Sequence, residues 1–133
     1  MVRRASAATA VLGLREEICM STARTVTIRE ATPADVGALH DALLALARHT
    51  GDEGKIESTP DDLLAHGFGP DAAFEALIAE VDGQFAGMCL SFRSFSTWRG
   101  QLGIYVQDLY VDPTFRGMRV GERLLREACI RGH

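Results

Sequence analysis

Two apolar runs joined by a two-residue turn constrain the fold of this chain more than any other feature. Residues 74–81 and 85–95 are rich in strand-forming side chains, and the pair Asp82-Gly83 separates them. An Asp-Gly pair between two such runs is the strongest short-range signal for a β-hairpin. A third apolar run, at residues 102–111, follows after a short break. We therefore expect three consecutive strands in an antiparallel sheet rather than a parallel, dinucleotide-type one.

Helices are predicted before and after these strands. Thr32-Pro33-Ala34-Asp35 and Thr59-Pro60-Asp61-Asp62 each place a capping threonine before a proline and an acidic third helical position. This pattern is typical of a helix start. The apolar spacing after each start follows the helical period, and alternation near the first start indicates a short strand. The predicted strands are 25–30, 74–81, 85–95 and 102–111, and the predicted helices are 33–48, 60–66 and 120–131. The order β-α-α-β-β-β-α predicts the α/β class.

The composition is that of one soluble domain. The chain has 133 residues, 47% of them hydrophobic, and 14 Lys+Arg against 18 Asp+Glu give a net charge of −4. A chain of this size buries a core without disulfides or a structural metal. Because the charge balance is acidic, no nucleic-acid partner is expected. No apolar run approaches the roughly 20 residues of a membrane helix, so no membrane partner is expected either.

The two ends of the chain are interpreted differently. Residues 1–24 read as an N-terminal extension outside the core, and residues 25–133 as the folded domain. Met20 stands just before the first strand, so Met1 and Met20 are both candidate starts. The three cysteines are an odd number without paired spacing, which favours the reducing cytoplasm over a disulfide-bonded exported protein.

Residues 104–121 are the most informative stretch for function. They combine a strand, a tight turn and a helix start in immediate succession. Such a helix start aims free backbone N–H groups and the positive end of the helix dipole at one point, which suits a phosphate. The stretch lacks both the Gly-Lys-Ser/Thr of a triphosphate loop and the three-glycine spacing of the dinucleotide fingerprint. The alternative is an ordinary strand-to-helix turn.

Within this stretch, Arg116-Gly117-Met118-Arg119-Val120-Gly121 resembles the signature of the GNAT superfamily of acetyl-coenzyme-A-dependent N-acetyltransferases. That signature is Q/R-x-x-G-x-G/A after an apolar strand, and Arg116 and Gly121 match its first and last positions. The order of elements is also similar to the first three quarters of the family fold. Within the family, the Thr97-Trp98 loop and the strand that contains Gln107-Asp108 are most similar to diamine, or spermidine/spermine-like, acetyltransferases.

The resemblance implies a GNAT-type, mostly antiparallel sheet, acetyl-coenzyme A as cosubstrate, and no metal. In the family, the strand lends backbone groups to the pantetheine arm, and the turn wraps the pyrophosphate with main-chain N–H groups. Glycines would let the backbone approach the phosphates. Gln107 and Asp108 fall where the diamine enzymes carry a Glu-Asp pair that handles the amine, so they are the candidate catalytic residues. The implied coenzyme-binding residues are Leu109, Tyr110, Val111, Arg116, Gly117, Met118, Arg119, Val120, Gly121 and Glu122.

Three departures from the family pattern carry expectations of their own. Arg119 replaces the middle glycine, which costs on the order of 1 kcal/mol if its φ is positive and weakens coenzyme binding. Gln107 cannot act as a base, so only Asp108 or ordered water is left to relay the proton. The family normally continues past residue 133 with further strands and a helix. The resemblance therefore implies a domain without them, and an open edge at residues 102–111 that a homo-oligomer covers.

Two functions remain open from the sequence. The first is acetyl transfer to a small amine such as a diamine or polyamine. Asp108 and an acidic loop that contains Asp52, Glu53 and Glu57 would attract the positively charged amine. The second is a catalytically silent module that binds coenzyme A or self-associates. A third interpretation, a fragment of a longer reading frame, would account for the missing elements.

Overall fold

The computed structural model describes residues 24–132, in which four strands form one antiparallel sheet in the order β1-β2-β3-β4. Apart from Arg24, the predicted N-terminal extension lies outside the described residues. The strands are β1 (Val26–Glu30), β2 (Glu75–Val81), β3 (Gln84–Ser96) and β4 (Gln101–Val111). The helices are α1 (Val36–Thr50), α2 (Pro60–His66) and α3 (Val120–Arg131), with short 3₁₀ turns at Pro33–Asp35, Glu53–Lys55 and Pro113–Phe115.

The predicted order β-α-α-β-β-β-α and the antiparallel sheet are confirmed. The first helix differs most from its predicted bounds, because it opens with the 3₁₀ turn Pro33–Asp35 and continues to Thr50. It ends there because Gly51 adopts a left-handed conformation, with φ of 79°. Glycine takes this conformation without the steric penalty of a Cβ atom.

The sheet carries a separate apolar core on each face. Alternate residues of β2 point to opposite faces, as the pleat of a strand requires. On one face, Leu77, Ala79 and Val81 pack with α3 residues that include Leu124. On the other, Ala76 and Ile78 pack with Leu39 and Ala42 of α1 and Leu63 of α2. Helix α3 therefore covers one face, and α1 and α2 cover the other.

An ion-pair cluster fixes the start of the first helical segment to the sheet. Arg29 of β1 donates to the Asp35 carboxylate at 2.8 Å and to Glu80 of β2 at 3.3 Å. Asp35 also accepts from the backbone N–H of Thr32 at 2.7 Å, which completes a capping box. The hydrogen bond from Arg29 lowers the pKa of Asp35 to about 2.

The hairpin of β3 and β4 extends beyond the rest of the sheet. The last β3 residue that pairs with β2 is Ser91, whereas pairing with β4 continues to Ser96. At the tip of this extension, the Trp98 side chain is 97% exposed. Trp98 therefore neither anchors its loop to the core nor forms the floor of a pocket within residues 24–132.

Candidate functional site

A β-bulge in β4 separates the two predicted catalytic residues. Asp108 pairs with Leu90 and Val106 pairs with Ser91, so Gln107 has no partner residue on β3. An extra residue of this kind bends a strand and redirects the side chains next to it. Gln107 is exposed, whereas Asp108 is half-buried. The two neighbouring side chains therefore have different environments.

Asp108 lies on the sheet face that α1 and α2 cover. Its cross-strand partner, Leu90, belongs to the core cluster on that face, and directly opposed residues share a face. Burial raises the pKa of the Asp108 carboxyl, with no opposing contribution from a partner group. A carboxylate with a raised pKa is a better proton acceptor at neutral pH than an ordinary aspartate. Of the two predicted catalytic residues, Asp108 alone has the chemistry of a base.

The turn after β4 presents a row of free backbone N–H groups. Asp112 begins this turn by accepting a hydrogen bond from the N–H of Thr114 at 2.9 Å. Gly117 follows with φ of 91°, which favours glycine. Within residues 24–132, none of the six N–H groups of residues 117–122 donates a hydrogen bond to the protein. Successive free N–H groups at a helix start form a binding site for an anion.

Arg119 occupies a left-handed position at the N-cap of α3, with φ of 61° and ψ of 28°. The backbone therefore meets the condition, a positive φ, under which arginine at this position was expected to be strained. A non-glycine residue in this region is strained by on the order of 1 kcal/mol. The guanidinium lies 3.8 Å from Glu122 in an exposed ion pair that stabilises little.

Gly121 lies where α3 faces β4. A Cβ atom at Gly121 would lie 3.4 Å from Cγ2 of Val111 and 3.8 Å from Cδ2 of Leu109. Both atoms belong to β4. These are ordinary van der Waals distances, so a methyl group would fit at this position, and the Gly121 N–H stays in the free row.

A groove of about 350 Å³ lies between the end of α1 and the end of β4. Four predicted coenzyme-binding residues line it: Leu109, Tyr110, Val111 and Arg116. The remaining lining residues are Ala45, Leu46, Arg48, His49 and Pro113. The α1 residues were not predicted to lie at the site. Basic residues are common in the last turn of a helix, where they interact with the helix dipole, so Arg48 and His49 gave no specific signal. Only the packing of α1 against β4 brings them to the site.

Other candidate features lie elsewhere or are already partnered. A larger cavity, of about 850 Å³, includes the loop between α2 and β2 and none of the predicted site residues. Asp52 of the acidic loop forms an exposed ion pair with Lys55 at 2.9 Å. Arg123 on α3 donates to the carbonyl of Val26 at 2.9 Å. Within residues 24–132, no group of three or more His, Cys, Asp or Glu side chains could hold a metal ion.

Comparison with known proteins identifies the family. The sequence profile described as the Acetyltransferase (GNAT) family matches residues 39–132. The chain therefore belongs to the GNAT acetyltransferase family. None of the helices in residues 24–132 is long and apolar enough to cross a membrane.

Two curated relatives and one solved structure illustrate the similarity. The chain is 32% identical over 112 residues to the thialysine N-epsilon-acetyltransferase of Bos taurus. The matched region covers 78% of this chain and 65% of that protein. It is 32% identical over 78 residues to spermidine/spermine N(1)-acetyltransferase-like protein 1 of Homo sapiens, covering 53% of this chain and 11% of that protein. The structure of ribosomal-protein-alanine N-acetyltransferase from Brucella melitensis superposes with a TM-score of 0.61 and 23% identity, over 80% of this chain and 71% of that one. This last similarity supports the fold alone.

Proposed function

We propose that this chain is an acetyl-coenzyme-A-dependent N-acetyltransferase that acts on a small amine. The observation that carries the proposal is the row of free N–H groups at residues 117–122, next to a groove along the end of β4. The pyrophosphate of the coenzyme would accept hydrogen bonds from this row. Family membership supports the same ligand, since the match includes both the turn and the strand.

The outer edge of β4 would hold the pantetheine arm. Within residues 24–132, β4 pairs with β3 on one side and has no partner strand on the other. The backbone groups of Leu109, Tyr110 and Val111 can therefore bond an extended ligand, as they would an added strand. We also propose that self-association covers this edge, because an unpaired strand edge favours pairing between chains.

The reaction would be direct attack of a neutral amine on the thioester carbonyl. A C–N bond forms, the C–S bond breaks, and the coenzyme leaves as a thiolate. Asp108 would accept the proton released by the amine, directly or through water, since burial raises its pKa. A backbone N–H of β4 near the bulge would stabilise the developing oxyanion.

Asp108 and the relatives support the proposed class of amine. Asp108 is a half-buried carboxylate at the bulge, which favours a cationic amine nearby. The relatives are named for thialysine and for spermidine and spermine, all of them small amines. Diamines, polyamines and amino acids with a side-chain amine are therefore the first substrates to test.

The test is thiol release from acetyl-coenzyme A with a panel of these amines, together with light scattering to measure the mass. We expect turnover with at least one amine, and a loss of about 10²- to 10⁴-fold in Asp108→Asn. Gln107→Glu is the matched variant, because it adds a carboxylate at the adjacent exposed position and should increase turnover. Equal turnover in wild type and Asp108→Asn would refute the role of Asp108.

A second candidate function is a coenzyme-binding module without turnover. Gln107 favours it, because an amide at the bulge cannot accept a proton from the substrate. In that case, calorimetry would show acetyl-coenzyme A binding while no amine in the panel releases thiol. Recovery of thiol release in Gln107→Glu would identify the amide as the cause.

A further inference from the structure

The charge of the groove beside β4 is one-sided. Its lining contains three basic side chains, Arg48, His49 and Arg116, and no aspartate or glutamate. Arg48 lies in the last turn of α1, and Arg116 directly follows the 3₁₀ turn Pro113–Phe115. The two arginines come from segments far apart in sequence and meet only at this groove.

Both guanidinium groups act on the same side chain. Burial and the charge of Asp112 raise the pKa of Tyr110, whereas the positive charges of Arg116 and Arg48 act in the opposite sense. Within residues 24–132, neither arginine forms an ion pair. The carboxylate of Asp112, which also acts on Tyr110, accepts a hydrogen bond from the N–H of Thr114. Two arginines without an ion-pair partner among the described residues therefore face one groove.

We propose that Arg48, together with Arg116, binds an anionic group of a ligand in this groove. A guanidinium matches the two oxygens of a carboxylate or phosphate and keeps its charge at any accessible pH. The inference rests on the proposed function, because the ligands of that function supply two sources of the anion. One is a carboxylate on the acceptor amine, and the other is a phosphate of the coenzyme.

The inference changes the expected choice of acceptor. A groove of about 350 Å³ accommodates a small acceptor. A polyamine, which carries only positive charges, would meet like charges from Arg48 and Arg116. An amine that also carries a carboxylate would instead be held at both ends, with its amine towards Asp108. Arg48 is then a specificity-determining residue.

Binding to the full chain, measured by calorimetry, tests the inference without requiring turnover. Lysine and cadaverine, titrated in the presence of coenzyme A, differ only in the carboxylate. 4′-Phosphopantetheine and pantetheine differ only in one phosphate, whereas coenzyme A adds the phosphorylated adenosine. The variant is Arg48→Gln, and the matched control is Arg99→Gln, which removes an exposed arginine at the β3–β4 turn that lines neither cavity. Thermal unfolding of each variant shows that the fold is kept.

We expect Arg48→Gln to weaken one of the anionic ligands by about three- to tenfold, and Arg99→Gln to weaken neither. Weaker lysine binding with unchanged cadaverine binding identifies the acceptor carboxylate as the anion. Weaker binding of coenzyme A and of 4′-phosphopantetheine, with unchanged pantetheine binding, identifies a coenzyme phosphate. If Arg48→Gln binds lysine and coenzyme A as tightly as wild type, the inference is wrong. If wild type binds no coenzyme A at all, the proposed function fails instead, and the inference fails with it.

Discussion

Replacing Arg119 with glycine should stabilise the folded domain. The backbone at Arg119 has φ of 61°, where a Cβ atom is costly and glycine is not. The strain of a non-glycine residue in this region is roughly 1–2 kcal/mol, and the greater freedom of glycine in the unfolded chain offsets part of it. The Arg119 side chain is 80% exposed and its contact with Glu122 is 3.8 Å, so losing it costs little.

The net gain should be about 1 kcal/mol in the free energy of unfolding, or about 4 °C in Tm for a domain of this size. Urea unfolding followed by circular dichroism measures it. Arg119→Ala is the first control, since it removes the same side chain but keeps the Cβ atom and should change little. Arg126→Gly is the second, because it places glycine inside α3 and should lower stability by about 1 kcal/mol. Equal stability of Arg119→Gly and Arg119→Ala would refute the strain.

Three further predictions concern titration and exposure. Asp35→Asn should lower the free energy of unfolding by about 1 kcal/mol at neutral pH. This deficit should disappear as the pH falls through the Asp35 pKa of about 2, because the protonated carboxyl no longer pairs with Arg29. A deficit independent of pH in urea unfolding would contradict this. Asp108→Asn should gain stability relative to wild type as pH rises from acid to neutral, because the raised pKa of Asp108 favours the protonated form in the fold. An unchanged difference across that range would argue against burial of the carboxyl. Trp98→Ala should change the free energy of unfolding by less than about 0.5 kcal/mol. In wild-type protein, a soluble quencher should reduce Trp98 fluorescence equally well in the folded and the unfolded state. Protection from the quencher in the folded state would show that Trp98 is covered.

Local signals in the sequence were sufficient to predict most of the fold. The Asp82-Gly83 turn and the two threonine-proline caps act over a few residues. The strands and helices next to these signals therefore appear at the predicted positions. The bounds of α1 were less accurate, because the helix continues to Thr50, where Gly51 ends it. The apolar spacing that predicted this helix ends before the helical backbone does.

The site was predictable only in part. The turn at residues 117–122 could be singled out from the sequence because its backbone geometry depends on neighbours in sequence. The bulge at Gln107 was not, because register depends on the partner strand β3. Arg48 was not found either, since it reaches the groove only through the packing of α1 on the sheet. For Gly121, the sequence did not indicate that the residue faces Val111 and Leu109 of β4.

The most direct measurement is the change in backbone amide chemical shifts when acetyl-coenzyme A is added to the isotope-labelled chain. We predict saturable shifts at the amides of residues 117–122, where the pyrophosphate accepts hydrogen bonds, and at Leu109, Tyr110 and Val111 along the β4 edge. The amides around the larger cavity, between α2 and β2, should stay unchanged. Saturable binding that leaves residues 117–122 unshifted, or the absence of any binding, would contradict the proposal that this turn holds the coenzyme.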